Sequence, residues 1–297
     1  VERFTTFSGS LFSSSQKKEG LHHLLFAKHE KASSFQHKKN NRPLKQIYSA
    51  FSPKEIMIIP ICPMADRFSC DFHNLPPEST KNVEIYNAWG SSECLEKEGN
   101  PRPITSHSKK GMQEAPAGSV RRALDNNHRL GFVAGGYDDR PPFNQAVSEG
   151  QKQYSPGMTA IIANTHSQES LWKALRQRSC YATTGAKMLL HYTIGGLPMG
   201  SELSTDKRPG LLHARYISIT ALGTAPWKEV LIIRNGTPWK RVNPQVSDYA
   251  DNILDESPFE EIAIQSEKGG AFTYYYIRFE QEDGELGWAS PIWIDHP

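Results

Sequence analysis

The chain has 297 residues, 34 Lys/Arg against 32 Asp/Glu, and a formal net charge of +2. A hydrophobic share of 37% with 22 Gly and 20 Pro excludes collagen-like, linker-dominated and wholly disordered chains. At roughly 150 residues per domain the length suits one large domain or two ordinary ones.

The first residue is Val1 and no signal peptide is visible, so a soluble fragment or processed piece is expected. No apolar run approaches the roughly 18 residues of a membrane span. Charge is uneven. Residues 1–50 carry nine Lys/Arg and three Asp/Glu, whereas residues 245–297 carry two and twelve. The basic start is Lys-rich, without clustered Arg and interleaved aromatics, which argues against a nucleic-acid partner. Cys62, Cys70, Cys94 and Cys180 contain no CxxC pair and read as free, buried thiols.

Residues 1–50 form a basic, loop-rich start around two short apolar pieces, Phe4 to Phe7 and Leu21 to Phe26. Short strands are predicted at Glu55–Pro60, Val83–Tyr86, Leu130–Gly136 and Met158–Ala163. Helices are predicted at Ser119–Leu124, with Ser119 as cap, and at Glu169–Arg178, capped by Thr165 or Ser167. Strands alternating with helices point to an α/β layer or barrel with parallel strands. After about Gly200 strands follow one another without helices. Leu211–Ala221 reads as a strand. Val230–Arg234 runs into Asn235-Gly236, a type I′ hairpin signal. In Phe272–Phe279, Phe272, Tyr274 and Tyr276 share one face, and Thr273, Tyr275 and Ile277 the other. Asp283-Gly284 turns this strand into Gly287–Ile294. Two units follow, residues 1–200 and a β-rich, sandwich-like unit over 201–297.

Metal-binding His, Asp and Glu are sought at strand ends. His22-His23 precedes Leu24-Leu25-Phe26, and Asp138-Asp139 follows Leu130–Gly136. Adjacent residues on a strand point to opposite faces, so at most one of each pair reaches a shared site. Neither G-x-S-x-G, Walker A, a dinucleotide fingerprint nor H-E-x-x-H occurs.

Several segments together resemble an uncharacterised bacterial family related to the PHP (polymerase and histidinol phosphatase) metallo-phosphoesterases. They are Phe4–Gly9, Ile58–Pro60, Val83–Tyr86 with Gly90–Glu93, Ala123-Leu124, Arg129–Phe132, Gly157–Ala160, Ala174–Arg176, Cys180–Lys187, Tyr275–Arg278 and Trp288–Trp293. The resemblance implies a partial or distorted PHP-like (β/α) barrel followed by a small antiparallel β-sandwich-like unit. It also implies metal ligands at strand ends, yet Leu11, Leu21, Ile61, Cys62, Tyr137 and Asp139 stand at the positions that match the family's ligand motifs. Its opening Asp-x-His-x-His motif has no counterpart. A missing N-terminal segment or a partner chain is therefore expected to complete the barrel.

Three functions follow. The first is a degenerate, non-catalytic relative acting in binding or assembly, with no cofactor. The second is a metal-dependent hydrolase of phosphoesterase type, its site rebuilt around Zn, Mn or Fe from His22, His23, His73, Glu93, Asp138 and Asp139. The third is an aromatic-rich β module that binds carbohydrate or peptide.

Overall fold

The computed structural model describes residues 4–13, 19–36, 43–104, 112–136, 154–267 and 269–297. Chain order begins β1 (Ser8–Ser13), β2 (Leu21–Phe26), α1 (His29–Gln36), α2 (Leu44–Tyr48), β3 (Ile56–Ile61), β4 (Asn82–Asn87) and β5 (Gly90–Ser91). Then come α3 (Val120–Asp125), β6 (Gly131–Ala134), β7 (Met158–Ile161), α4 (Gln168–Arg176), β8 (Cys180–Thr183), β9 (Leu189–Ile194), β10 (Leu197–Pro198) and β11 (Glu202–Ser204). The remainder is β12 (Arg215–Leu222), β13 (Trp227–Arg234), β14 (Thr237–Val242), β15 (Asp248–Asp255), α5 (Phe259–Ile262), β16 (Ile264–Gln265), β17 (Ala271–Gln281) and β18 (Leu286–His296).

Four sheets result. Two small ones, β1-β2-β3 and β5-β4-β6, occupy the N-terminal half. A large one runs β14-β13-β17-β18-β8-β7, with β11 beside β18 and β16 beside β17. The fourth is β10-β9-β12-β15.

The large sheet is the middle layer. One of its faces presents Leu231, Ile233, Phe272, Tyr274, Tyr276, Trp288 and Trp293 to Tyr86, Val120, Leu124 and Phe132 of the N-terminal half. Its other face presents Val230, Ile232, Tyr275, Ile277, Phe279 and Ile292 to Tyr192, Ile217, Ile219 and Ile253 of the fourth sheet. The period-2 alternation of β17 places its side chains alternately in these two cores. Strands on both sides of residue 200 share the layers, since β8 pairs with β18 and β9 with β12.

Among the described residues no sheet closes into a barrel, which corrects the expected α/β fold class. A parallel barrel needs a crossover of a dozen or more residues, usually a helix, between successive strands. Here β1, β2 and β3 pair antiparallel, as do β7 and β8. Among the described strands of the N-terminal half, the one parallel strand pair is β4 with β6, beside a single parallel bridge from Ser91 to Pro103. The longest described helix, α4, has nine residues. The apolar runs mark real strands, but hairpins and long-range pairings join them. The keywords of a PHP-like, distorted TIM barrel fall with the barrel, while the sandwich-like packing of the C-terminal strands stands. No described helix is long and apolar enough to cross a membrane.

Candidate functional site

Strand β4 is buried along its whole length. A carboxylate in such a strand requires partners, because burying an uncompensated charge is costly. Glu84 is that carboxylate, with a side chain 2% exposed. Its Oε1 accepts a 2.6 Å hydrogen bond from Asn87 Nδ2. The same amide reaches Cys62 Sγ at 2.6 Å. Asn87 Oδ1 in turn accepts from the Trp89 N–H at 2.9 Å, which fixes the amide's orientation. Oε2 lies 3.7 Å from His23 Nε2, on a ring 39% exposed. Among the described residues this imidazole is the one cationic candidate within ion-pair distance of Glu84.

The backbone makes room for the group. Gly135, just past β6, has no side chain, and a Cβ there would overlap Glu84 Oε2. Cys62 follows β3 with φ 44°, a left-handed conformation uncommon for cysteine. Burial, and then the charge of Glu84, push its thiol pKa well up, which keeps the thiol protonated at neutral pH and disfavours a thiolate nucleophile. The result is a buried polar group in mid-strand, with a carboxylate inside and a partly exposed imidazole at its outer edge. Chemically it accepts a hydrogen-bond donor or a cation.

The other sequence candidates separate. His22 points to the opposite side of β2 and is fully buried. Its Nε2 donates to the Glu19 carbonyl, and Nδ1 finds no partner among the described residues. Burial lowers its pKa to about 4, so it is neutral. His73 lies in a short 3₁₀ turn, bound to Asp71 at 3.2 Å and edge-on to His128. Asp138 and Asp139 lie outside the described residues. No group of three or more His, Cys, Asp or Glu among the described residues could hold a metal ion.

Glu93 is fully buried and saturated. Oε1 accepts from Arg121 Nη2 at 3.0 Å and from the Tyr276 hydroxyl at 2.8 Å. Oε2 accepts from Arg278 Nη1 at 3.0 Å and Trp288 Nε1 at 2.9 Å. With four donors on its two oxygens it ties the N-terminal half to β17 and β18. The aromatic strand is core too: Tyr274, Tyr275, Tyr276, Trp288 and Trp293 are all 0% exposed and offer no stacking face to a sugar.

Reading the sequence for His and Asp missed Glu84, Asn87 and Gly135. The available signal was a lone carboxylate inside the apolar run Val83-Glu84-Ile85-Tyr86.

Fold and site define a multi-sheet β-rich protein with a buried polar group, His23, Cys62, Glu84 and Asn87, in its N-terminal half. The profile of a family described as "Protein of unknown function (DUF3604)" matches residues 106–208. An uncharacterized protein of Chlamydia muridarum is 42% identical over 297 residues, covering 99% of this chain and 47% of that protein. Uncharacterized proteins of Chlamydia trachomatis serovar D and Chlamydia pneumoniae are 42% and 41% identical, again over 99% of this chain and 47% of each of them. The chain therefore spans about half the length of the curated relatives it matches. No solved structure matches it. The PHP resemblance is overturned: the matching family is one of unknown function, and the sheets are not those of a PHP domain.

Proposed function

We propose that this chain is a binding module whose ligand enters the recess of His23, Cys62, Glu84 and Asn87 and presents a cation or an N–H donor to Glu84. One observation carries this reading. A carboxylate 2% exposed holds one amide donor and, 3.7 Å away, a partly exposed imidazole. Compare Glu93, equally buried, which has four donors, two of them guanidinium groups. The difference marks Glu84 as a group left open for a partner. The neutral Cys62 thiol and the fixed Asn87 amide shape the recess without supplying a nucleophile.

The test is titration of the protein with guanidinium and with Mn²⁺ or Zn²⁺, followed by calorimetry. Saturable binding that disappears in Glu84→Gln supports the recess. Absence of binding by any of these probes, or wild-type binding in Glu84→Gln, overturns it.

The approach of His23 Nε2 to Glu84 Oε2, two metal-ligating side-chain types 3.7 Å apart, favours a second reading, a metal-dependent hydrolase. In that case a metal-bound hydroxide would be the nucleophile and Glu84 a ligand. Hydrolysis of a chromogenic phosphate ester with added Mn²⁺, abolished by Glu84→Gln, would select this reading over simple binding.

A further inference from the structure

A separate cleft lies beside the start of β4, independent of the Glu84 group. It is a cleft of about 480 Å³ between the C-terminal end of α4 and the loop 198–202. Its charged lining is Lys81, Arg176 and Arg178 against Glu202, with Ser179 and Ser201 beside them. Lys81 is 3.5 Å from Glu78, an exposed carboxylate, and Arg176 donates to the Pro53 carbonyl.

Arg178 is the built part of this cleft. Helix α4 ends in a Schellman arrangement: the Ser179 N–H donates to the Ala174 carbonyl at 2.9 Å and the Arg178 N–H to the Leu175 carbonyl at 3.1 Å. The residue at the left-handed position of that motif is ordinarily glycine, yet Arg178 occupies it with φ 59°. The side chain that incurs this strain is 7% exposed. Its guanidinium lies 5.0 Å from the Trp293 ring centre. Nε and Nη2 donate to the Gly200 carbonyl at 3.2 and 3.1 Å. Nη2 also meets Glu202, whose side chain is 44% exposed. The cation is thus preorganised at low entropic cost to a ligand, while its carboxylate partner is free to swing into solvent. A helix C-terminus disfavours anions by itself, so the three cations are what make the cleft positive.

We propose that this cleft binds a small molecule through an oxyanion, phosphate or carboxylate, which takes the place of Glu202 on Arg178. Lys81 and Arg176 supply charge at the rim, and Ser179 and Ser201 flank the site.

The experiment is calorimetric titration of the whole chain with inorganic phosphate and, separately, with succinate, at low and high salt. Wild type is expected to bind one of the two saturably, more weakly at high salt. Which one binds identifies the oxyanion. The double variant Lys81→Gln/Arg176→Gln, whose folding is checked by circular dichroism, is expected to lose affinity by about tenfold or more. Glu202→Gln removes the competing carboxylate and is expected to bind more tightly, a gain that a purely structural pair would not produce. No saturable binding of either probe, an unchanged affinity in the double variant, or no gain in Glu202→Gln would each overturn the proposal.

Discussion

Glu93 and Arg278, 185 positions apart in the chain, meet in a 3.0 Å ion pair with the carboxylate wholly inside the protein. Arg121 binds the other carboxylate oxygen, and Tyr276 and Trp288 complete the shell. Removing one member of a buried ionic group leaves the rest uncompensated, at about 3–5 kcal/mol. Glu93→Gln keeps the shape and removes the charge. It is expected to lower the unfolding free energy by roughly 3 kcal/mol, read from urea denaturation. Loss of less than about 1 kcal/mol would show that the two guanidinium groups find other partners.

The same group sets the acid limit. Burial alone would raise the Glu93 carboxyl, but Arg278 and Arg121, with Trp288 and Tyr276 donating, bring it down to about 2. Asp255 is likewise brought down to about 2: burial opposes, and the Tyr275 hydroxyl, Ser257 and Arg234 outweigh it. Carboxyls depressed in the folded state contribute stability that is present above their unfolded value, about 4, and lost as pH falls toward 2. Unfolding free energy is expected to drop through that window, and less steeply in Glu93→Gln. Equal slopes for the two proteins would remove Glu93 from the account.

His22 acts in a higher window. Burial brings its pKa down to about 4, so between about 6.5 and 4 the unfolded chain takes up a proton that the folded chain refuses. Stability supplied by the neutral ring is present above pH 6.5 and lost on acidification through this range. His22→Gln is expected to flatten the dependence there while leaving the lower Glu93 window intact. Urea midpoints measured at pH 7, 5.5 and 4.5 check it.

Local structure was legible where it depends on near neighbours. Asn235 and Gly236 take φ 49° and 68°, as the hairpin dipeptide requires, and join β13 to β14. Ser167 caps α4 by accepting from the Ser170 N–H. The faces of β17 follow alternation. Ser119 stands at the cap position of α3, but its hydroxyl donates to the Glu93 carbonyl at 3.3 Å instead. Strand partners were not legible. Tyr181 and Ala182 pair with Ala289 and Trp288, more than a hundred positions away, and no periodicity encodes that choice. A barrel and a set of stacked sheets share the same apolar runs and differ in pairing. The fate of Glu93 was hidden for the same reason, since its donors lie between 28 and 195 positions from it. His23 was visible as one of an adjacent pair, but only the fold shows that it, and not His22, faces Glu84.

Gly135 offers the sharpest probe of the recess. A Cβ at this position would overlap Glu84 Oε2, the oxygen that faces His23, while at the next residue, Gly136, the nearest atom is Pro156 Cβ at 3.9 Å. Gly135→Ala must therefore push the carboxylate away from its position or shift β6, an overpacking that costs about 1–3 kcal/mol. Gly136→Ala meets only this ordinary van der Waals contact and is expected to leave stability within about 0.5 kcal/mol of wild type. If the recess binds its ligand through Glu84, Gly135→Ala loses binding of the cation or donor probe at temperatures where it remains folded, and Gly136→Ala retains it. The measurement is paired calorimetry and thermal unfolding of both variants. A folded Gly135→Ala that binds as tightly as wild type would show that Glu84 Oε2 is not the contacting atom.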